Sequence, residues 1–307
     1  MGGKDGTNTI EVGDKAKLTQ LEIEQVKSLL MKVDTNITLE SVVLSEANKF
    51  SIDEFVREVQ GADLLLKAGL TPMNRLLFYG DSGCGKTYLG KALSNHLGYT
   101  LLYIDIAKAI ANHEVADNMS LLFKVGNSGH FILFLDECDS IAWNRNAENA
   151  DTSEYRRAVT SLFQQMDQMS PKTIIICATN LLAKLDQAFE NRFDMKLEFR
   201  RPKEEIIKTI RKFLKEEYVV KDDLNREVKS IVDKRVSNSL SYRDLTRIAN
   251  RAMKRAVLQG TRCIMLSDIY KDVARTAEII VPLNKFSKTE DMTDKVVSNN
   301  ELYIQNL

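Results

Sequence analysis

Gly80-Asp81-Ser82-Gly83-Cys84-Gly85-Lys86-Thr87 sets three glycines, a lysine and a hydroxyl at the spacing G-x-x-x-x-G-K-[ST]. Glycine tolerates positive φ, so such a loop can turn its backbone N–H groups inward around an anion. Lys86 can then reach the β- and γ-phosphates of a nucleoside triphosphate, and the Thr87 hydroxyl can ligate Mg²⁺. Asp81, Ser82, Cys84 and Tyr88 complete the expected contacts of this loop with ATP. A second set is Asp136-Glu137, which ends an apolar run. Asp136 is expected to hold Mg²⁺, directly or through water, and Glu137 to orient and deprotonate an attacking water. A third is Asn180, which follows another apolar run and can hydrogen-bond the γ-phosphate or that water.

These residues need a parallel sheet behind them. Arg75 to Tyr79 has strand character, and a helix-compatible run starts at Lys86, with its amides and positive dipole end aimed at the same anion. Thr100 to Ile104 reads as a second strand. His130 to Leu135 and Thr173 to Ala178 are nearly unbroken apolar runs, as strands buried on both faces should be. Lys196 to Phe199 is a short fifth strand, and helical runs lie between. Strands alternating with helices predict an α/β fold with helices on both faces of a parallel sheet. In such sheets ligands bind at the carboxyl ends of the strands, which would bring Asp136 to Thr87.

Residues 1–36 comprise a polar tail and an amphipathic helix over Ala16 to Val33, expected to pack on its own domain. Ile37 to Leu44 is expected to add an edge strand, and Ile52 to Leu65 a helix. The ATPase domain spans 37–201. From 202 to 280 no strand is expected, only helices near 203–217, 222–234, 241–258 and 266–277, as in a small all-helical lid. Residues 281–307 read as a polar tail.

Lys and Arg number 43 and Asp and Glu number 43. The balance, with no appended DNA-binding motif, argues against a nucleic-acid partner. No apolar run reaches transmembrane length. The four cysteines, Cys84, Cys138, Cys177 and Cys263, lack metal-site spacing and read as reduced, small apolar residues of a cytoplasmic protein.

Taken in order, GADLLLKAGLTPMNRLLFYG, the phosphate loop, FILFLDECDSIA, SEYRRAVTSLFQQMDQM, IIICATN, LDQAFENRFD and SLSYRDLTRIANRAMKRAV resemble the AAA+ ATPases. Within them the chain resembles the AAA group that includes katanin- and spastin-like remodelling proteins and compact bacterial members. The resemblance covers Leu44 to Ala277. It implies a hexameric ring with ATP bound between subunits. By that resemblance Asn180 matches sensor 1, Arg192 the arginine finger that reaches a neighbour's γ-phosphate, and Arg243 the sensor 2 arginine of the lid. Developing charge on a transferred phosphoryl group calls for such preorganised cations.

Asp81-Ser82 and Cys84 replace the usual Pro-Pro and Thr of the loop. A second finger arginine has no counterpart. The first pore segment, Ala109 to Val115, lacks the aromatic residue of threading relatives, although His113 and Trp143 lie in the two central loops. The expectation is a ring ATPase that remodels or switches a partner protein. The alternatives are a DNA-associated loader or initiator and an activator of a partner protease or other effector that threads no substrate.

Overall fold

The computed structural model describes residues 19–31, 33, 35–104, 115–139, 163–185, 187–202, 206–236 and 239–286. The chain divides into two compact units, Met1–Arg200 and Arg201–Leu307.

In the first unit the described elements are α1 (Gln20–Leu29), α2 (Glu46–Gln60), α3 (Ala62–Lys67), β1 (Arg75–Gly80), α4 (Lys86–Leu97), β2 (Thr100–Ile104), α5 (Val115–Gly126), β3 (Phe131–Leu135), β4 (Ile174–Thr179), α6 (Gln187–Glu190) and β5 (Met195–Phe199). The strands form one sheet in the order β2-β3-β4-β1-β5, every neighbouring pair parallel. All five residues of β3 and all six of β4 are buried, as their unbroken apolar sequences require. The interior position of β1, between β4 and β5, puts the carboxyl end of Tyr79-Gly80 beside that of β4. Its amino end is pinned by Asp194, whose carboxylate accepts from Asn74 N at 3.0 Å and Arg75 N at 2.9 Å.

Gly90 lets α4 lie against the sheet. A Cβ there would come within 2.4 Å of the Phe134 ring. The expected amphipathic helix is α1, opened by a capping box in which Thr19 and Glu22 satisfy one another's N–H groups. Its Val26 and Leu29 are buried in the core of the unit. Glu22 pairs with Lys124 of α5 at 2.9 Å, and Gln25 bonds Asn118 at 2.8 Å. Beyond α1, Leu30 bridges antiparallel to Ile104, and Met31 N donates to Tyr103 O at 2.8 Å. This arm therefore covers the β2 edge of the sheet.

Residues 37–44 form no strand. Leu39–Ser41 is a 3-10 turn, closed where the Ser41 hydroxyl donates to Thr38 O at 2.7 Å. Thr38, Glu40 and Ser41 supply local hydrogen-bonding groups that compete with strand pairing. The helix expected over 52–65 is two helices, with Gly61 ending α2 and starting α3.

The second unit holds α7 (Ile206–Phe213), β6 (Val219–Lys221), α8 (Arg226–Arg235), α9 (Tyr242–Leu258), β7 (Cys263–Met265) and α10 (Leu266–Thr276). The four α-helices among its described residues fall in the expected regions, but β6 and β7 correct the all-helical reading. They pair in parallel, Val220 against Ile264. Three-residue strands are too short to display a period of two. Val281 and Phe286, assigned by sequence to the tail, are buried in this unit's core with Val232, Ile248 and Ile269. Among the described residues no helix is long and apolar enough to cross a membrane.

Candidate functional site

β1 delivers the chain into the loop 81–85. Gly80, Gly83 and Gly85 have φ of 126°, 75° and 103°. At Gly80 the need for glycine is steric as well as conformational, since a Cβ would sit 2.1 Å from Phe199 O on β5. Gly85 is the N-cap of α4, so the free N–H groups of the first helical turn open toward the loop.

Lys86 is 6% exposed, and its ammonium makes three short contacts. Nζ donates to Gly80 O at 2.6 Å, Asp81 O at 2.9 Å and Asn180 Oδ1 at 2.7 Å. Burial lowers its pKa, opposed by Cys84 and the carboxylates of Asp136, Asp81 and Asp139. The loop lysine and the exposed Asn180 at the end of β4, 94 residues apart, therefore meet directly.

Thr87 Oγ1 donates to Asp136 Oδ2 at 2.9 Å, the meeting expected from the carboxyl-end position of both. Asp136 Oδ1 accepts from Glu137 N at 3.0 Å. Glu137 is one of two non-glycine residues with positive φ among those described, at 54°. It is exposed at the carboxyl edge of the sheet, immediately after Asp136. Next along the chain, Cys138 N donates to Ala178 O at 3.0 Å, and Asp139 accepts from the Thr179 hydroxyl at 2.7 Å, tying the ends of β3 and β4 together. Cys138 and Cys177 are buried, free thiols, and the neighbouring Cys177 together with burial pushes the Cys138 thiol up. Cys84 is buried in the loop, as its reading as an apolar filler requires.

Two partners were not read from the sequence. Tyr103, at the end of β2, donates its hydroxyl to Asp136 Oδ2 at 2.5 Å. Burial, then the bond to Asp136, pushes this phenol up, so it remains a donor. The usable signal was a hydroxyl-bearing residue near the carboxyl end of an apolar strand beside the one that ends in Asp136. The second is Asp167, which faces both Arg75 and Arg192 at 3.5 Å.

Arg192 lies 4.5 Å over the Phe163 ring, and its guanidinium donates to Ala188 O at 2.9 Å. Its Nε is buried with no hydrogen-bond partner among the described residues. Through Asp167 and Asp194 this region belongs to the amino end of β1. Six strand residues span roughly 20 Å, so Arg192 stands about one strand length from its own phosphate loop. Arg243 is exposed in the first turn of α9, in the second unit. His113 and Trp143 lie outside the described residues.

The donor set suits a nucleotide phosphate. A buried ammonium, a glycine-rich loop and the start of α4 converge there, the groups that bind an anion. Thr87 and Asp136 offer the hard oxygen ligands that magnesium takes.

Residues 76–201 match the family model described as "ATPase family associated with various cellular activities (AAA)". The chain is 28% identical over 247 residues to an uncharacterized AAA family ATPase of Sinorhizobium fredii, a match covering 80% of this chain and 73% of that protein. It is 27% identical over 270 residues to a putative 26S proteasome regulatory subunit homolog of Methanothermobacter thermautotrophicus, covering 83% and 69%. The crystal structure of the FIGL-1 AAA domain superposes with a TM-score of 0.61 at 19% identity, covering 91% of this chain and 93% of that one. The phosphate loop and the acidic end of β3 lie inside the matched residues, so residues 76–201 form an AAA ATPase domain and the chain is an ATP-binding ATPase.

Proposed function

We propose that the chain hydrolyses ATP at the interfaces of a homo-oligomeric ring, a hexamer by family resemblance, and uses the cycle to switch or remodel a partner protein. Lys86 holds the β- and γ-phosphates, and Asn180, already bonded to the Lys86 ammonium, turns to the γ-phosphate or the attacking water. Thr87 and Asp136 hold magnesium, which when bound neutralises charge on the phosphate oxygens. Glu137 takes the proton from water. Its left-handed backbone is a departure of the kind that clusters at functional sites.

The single observation that carries the ring is the location of Arg192. A cation at the amino end of β1 cannot reach a phosphate at the carboxyl end of the same strand, so a finger role requires a second copy. Arg243 is proposed as the lid cation that senses the nucleotide. A protein partner, rather than DNA, is supported by the zero net charge and by the proteasome-regulatory name of one relative. Switching rather than threading is supported by Ala109 to Val115, which offers no aromatic grip.

Mixing tests the ring. Arg192→Ala and Glu137→Gln chains should each be inactive, and together they should recover part of the turnover, because some interfaces then join an intact site to an intact finger. Specific activity should also rise with protein concentration. Turnover that is independent of concentration, with no recovery on mixing, rules the reading out.

A further inference from the structure

We propose that Tyr103 is a positioning residue for Asp136, its hydroxyl fixing the carboxylate in the orientation that serves Thr87 and the metal. The inference rests on the reading above that Thr87 and Asp136 hold magnesium.

The carboxylate torsion of an aspartate is broad and nearly two-fold, so one hydrogen bond leaves it free to turn. Asp136 is gripped from three directions. Oδ2 accepts from Thr87 Oγ1 at 2.9 Å and from the Tyr103 hydroxyl at 2.5 Å, and Oδ1 accepts from Glu137 N at 3.0 Å. An ionised carboxylate has about four lone-pair sites, so this arrangement leaves acceptor capacity on Oδ1 and none on Oδ2. Without the phenol, Oδ2 would keep only the Thr87 bond, itself made by a rotatable hydroxyl.

The phenol is in turn held rigidly. Tyr103 pairs with Phe134 across β2 and β3, and the two rings stack at 5.3 Å with 12° between their planes. The carbonyl of Tyr103 accepts from Met31 N, and the adjoining Ile104 bridges to Leu30. The arm after α1 thus secures the end of β2 that carries the hydroxyl. Leu101, Leu102 and Ile104 are buried and apolar, so a hydroxyl within this strand is costly unless paired, and Asp136 is its partner.

Tyr103→Phe tests this in the full chain, because it removes the hydroxyl and keeps the ring stack. Mn²⁺ affinity in the presence of ADP, read from the electron paramagnetic resonance of free Mn²⁺, should fall roughly tenfold or more, as for other partners of metal ligands. ADP affinity in EDTA should not change. Turnover lost at low Mg²⁺ should return as Mg²⁺ is raised, which a distorted fold would not permit. Tyr103→Leu should show the same Mn²⁺ loss with a lower melting temperature. Mn²⁺ affinity in Tyr103→Phe that is unchanged or tighter overturns the inference, and tightening would mean that the hydroxyl competes with the metal. Thr87→Ala separates the two levels. If it weakens Mn²⁺ binding while Tyr103→Phe does not, only the role of Tyr103 falls. If Thr87→Ala also leaves Mn²⁺ binding intact, the metal assignment fails and takes this inference with it.

Discussion

Gly80→Ala probes the junction of sheet and phosphate loop. Gly80 has φ of +126°, and its added Cβ would meet Phe199 O at 2.1 Å and Phe199 C at 2.9 Å, both backbone atoms of the adjacent strand. Neither can swing aside as a side chain would. Backbone strain of this kind costs about 1–3 kcal/mol. The forced separation of β1 from β5 adds about 1–3 kcal/mol, the usual range for overpacking. Gly69→Ala is the matched control, with φ of +76° and nothing within 4 Å of the new Cβ. It should show strain alone, about 1–2 kcal/mol. For a unit of this size each kcal/mol moves the melting temperature by roughly 2–4 °C, so Gly80→Ala, at about 2–6 kcal/mol in all, should melt about 4–24 °C below wild type and Gly69→Ala about 2–8 °C below. The assay is thermal unfolding followed by circular dichroism, with ADP affinity measured alongside. Gly80→Ala should also lose nucleotide, because the loop must shift with its anchor, whereas Gly69→Ala should bind normally. A Gly80→Ala chain that melts no lower than Gly69→Ala and binds ADP like wild type would refute the steric argument.

Leu29→Ala should destabilise the first unit by about 2–5 kcal/mol, since the side chain is 4% exposed in the core beneath α1, and thermal unfolding would detect it. The Glu22 carboxyl is held at about 2, below its ordinary 4.5, by the Thr19 N–H, the Lys124 ammonium and the Thr19 hydroxyl. Its depressed pKa means that the pairing stabilises the fold above the ordinary value and is lost as pH falls from 4.5 through 2. An NMR titration should show the Glu22 midpoint moving up toward 4.5 in Lys124→Met, and an unmoved midpoint would exclude the pairing.

Much of the site was legible because its chemistry leaves marks in one dimension. The phosphate loop needs glycines at fixed spacing, and two strands buried on both faces must be continuously apolar, so Lys86, Thr87, Asp136 and Asn180 could be assigned to strand and helix ends in advance. Their contacts across the sheet followed from parallel strand geometry. Tyr103 was not legible. A tyrosine in a strand satisfies β preference whether or not its hydroxyl has a partner, and only the β2–β3 register reveals which carboxylate it meets. The same holds for Asp194, whose support of β1 spans 119 residues, and for Leu30, whose partner is Ile104. β6 and β7 pair across more than forty intervening residues and are too short to carry a pattern of their own. Val281 and Phe286 lie in Ile279 to Phe286, an apolar stretch too short and too irregular around Pro282 to show a helix or strand period, so nothing in it marked a core.

ATP binding and ATP turnover, measured separately on Lys86→Ala and Glu137→Gln, test the central claim most directly. Lys86 contacts phosphate in the ground state, whereas Glu137 acts on the water during reaction. Lys86→Ala should therefore fail to bind ATP. Glu137→Gln should bind it as wild type does and hydrolyse it roughly a hundredfold more slowly or worse. A Glu137→Gln chain that keeps most of its turnover, or a Lys86→Ala chain that binds ATP normally, would contradict the account.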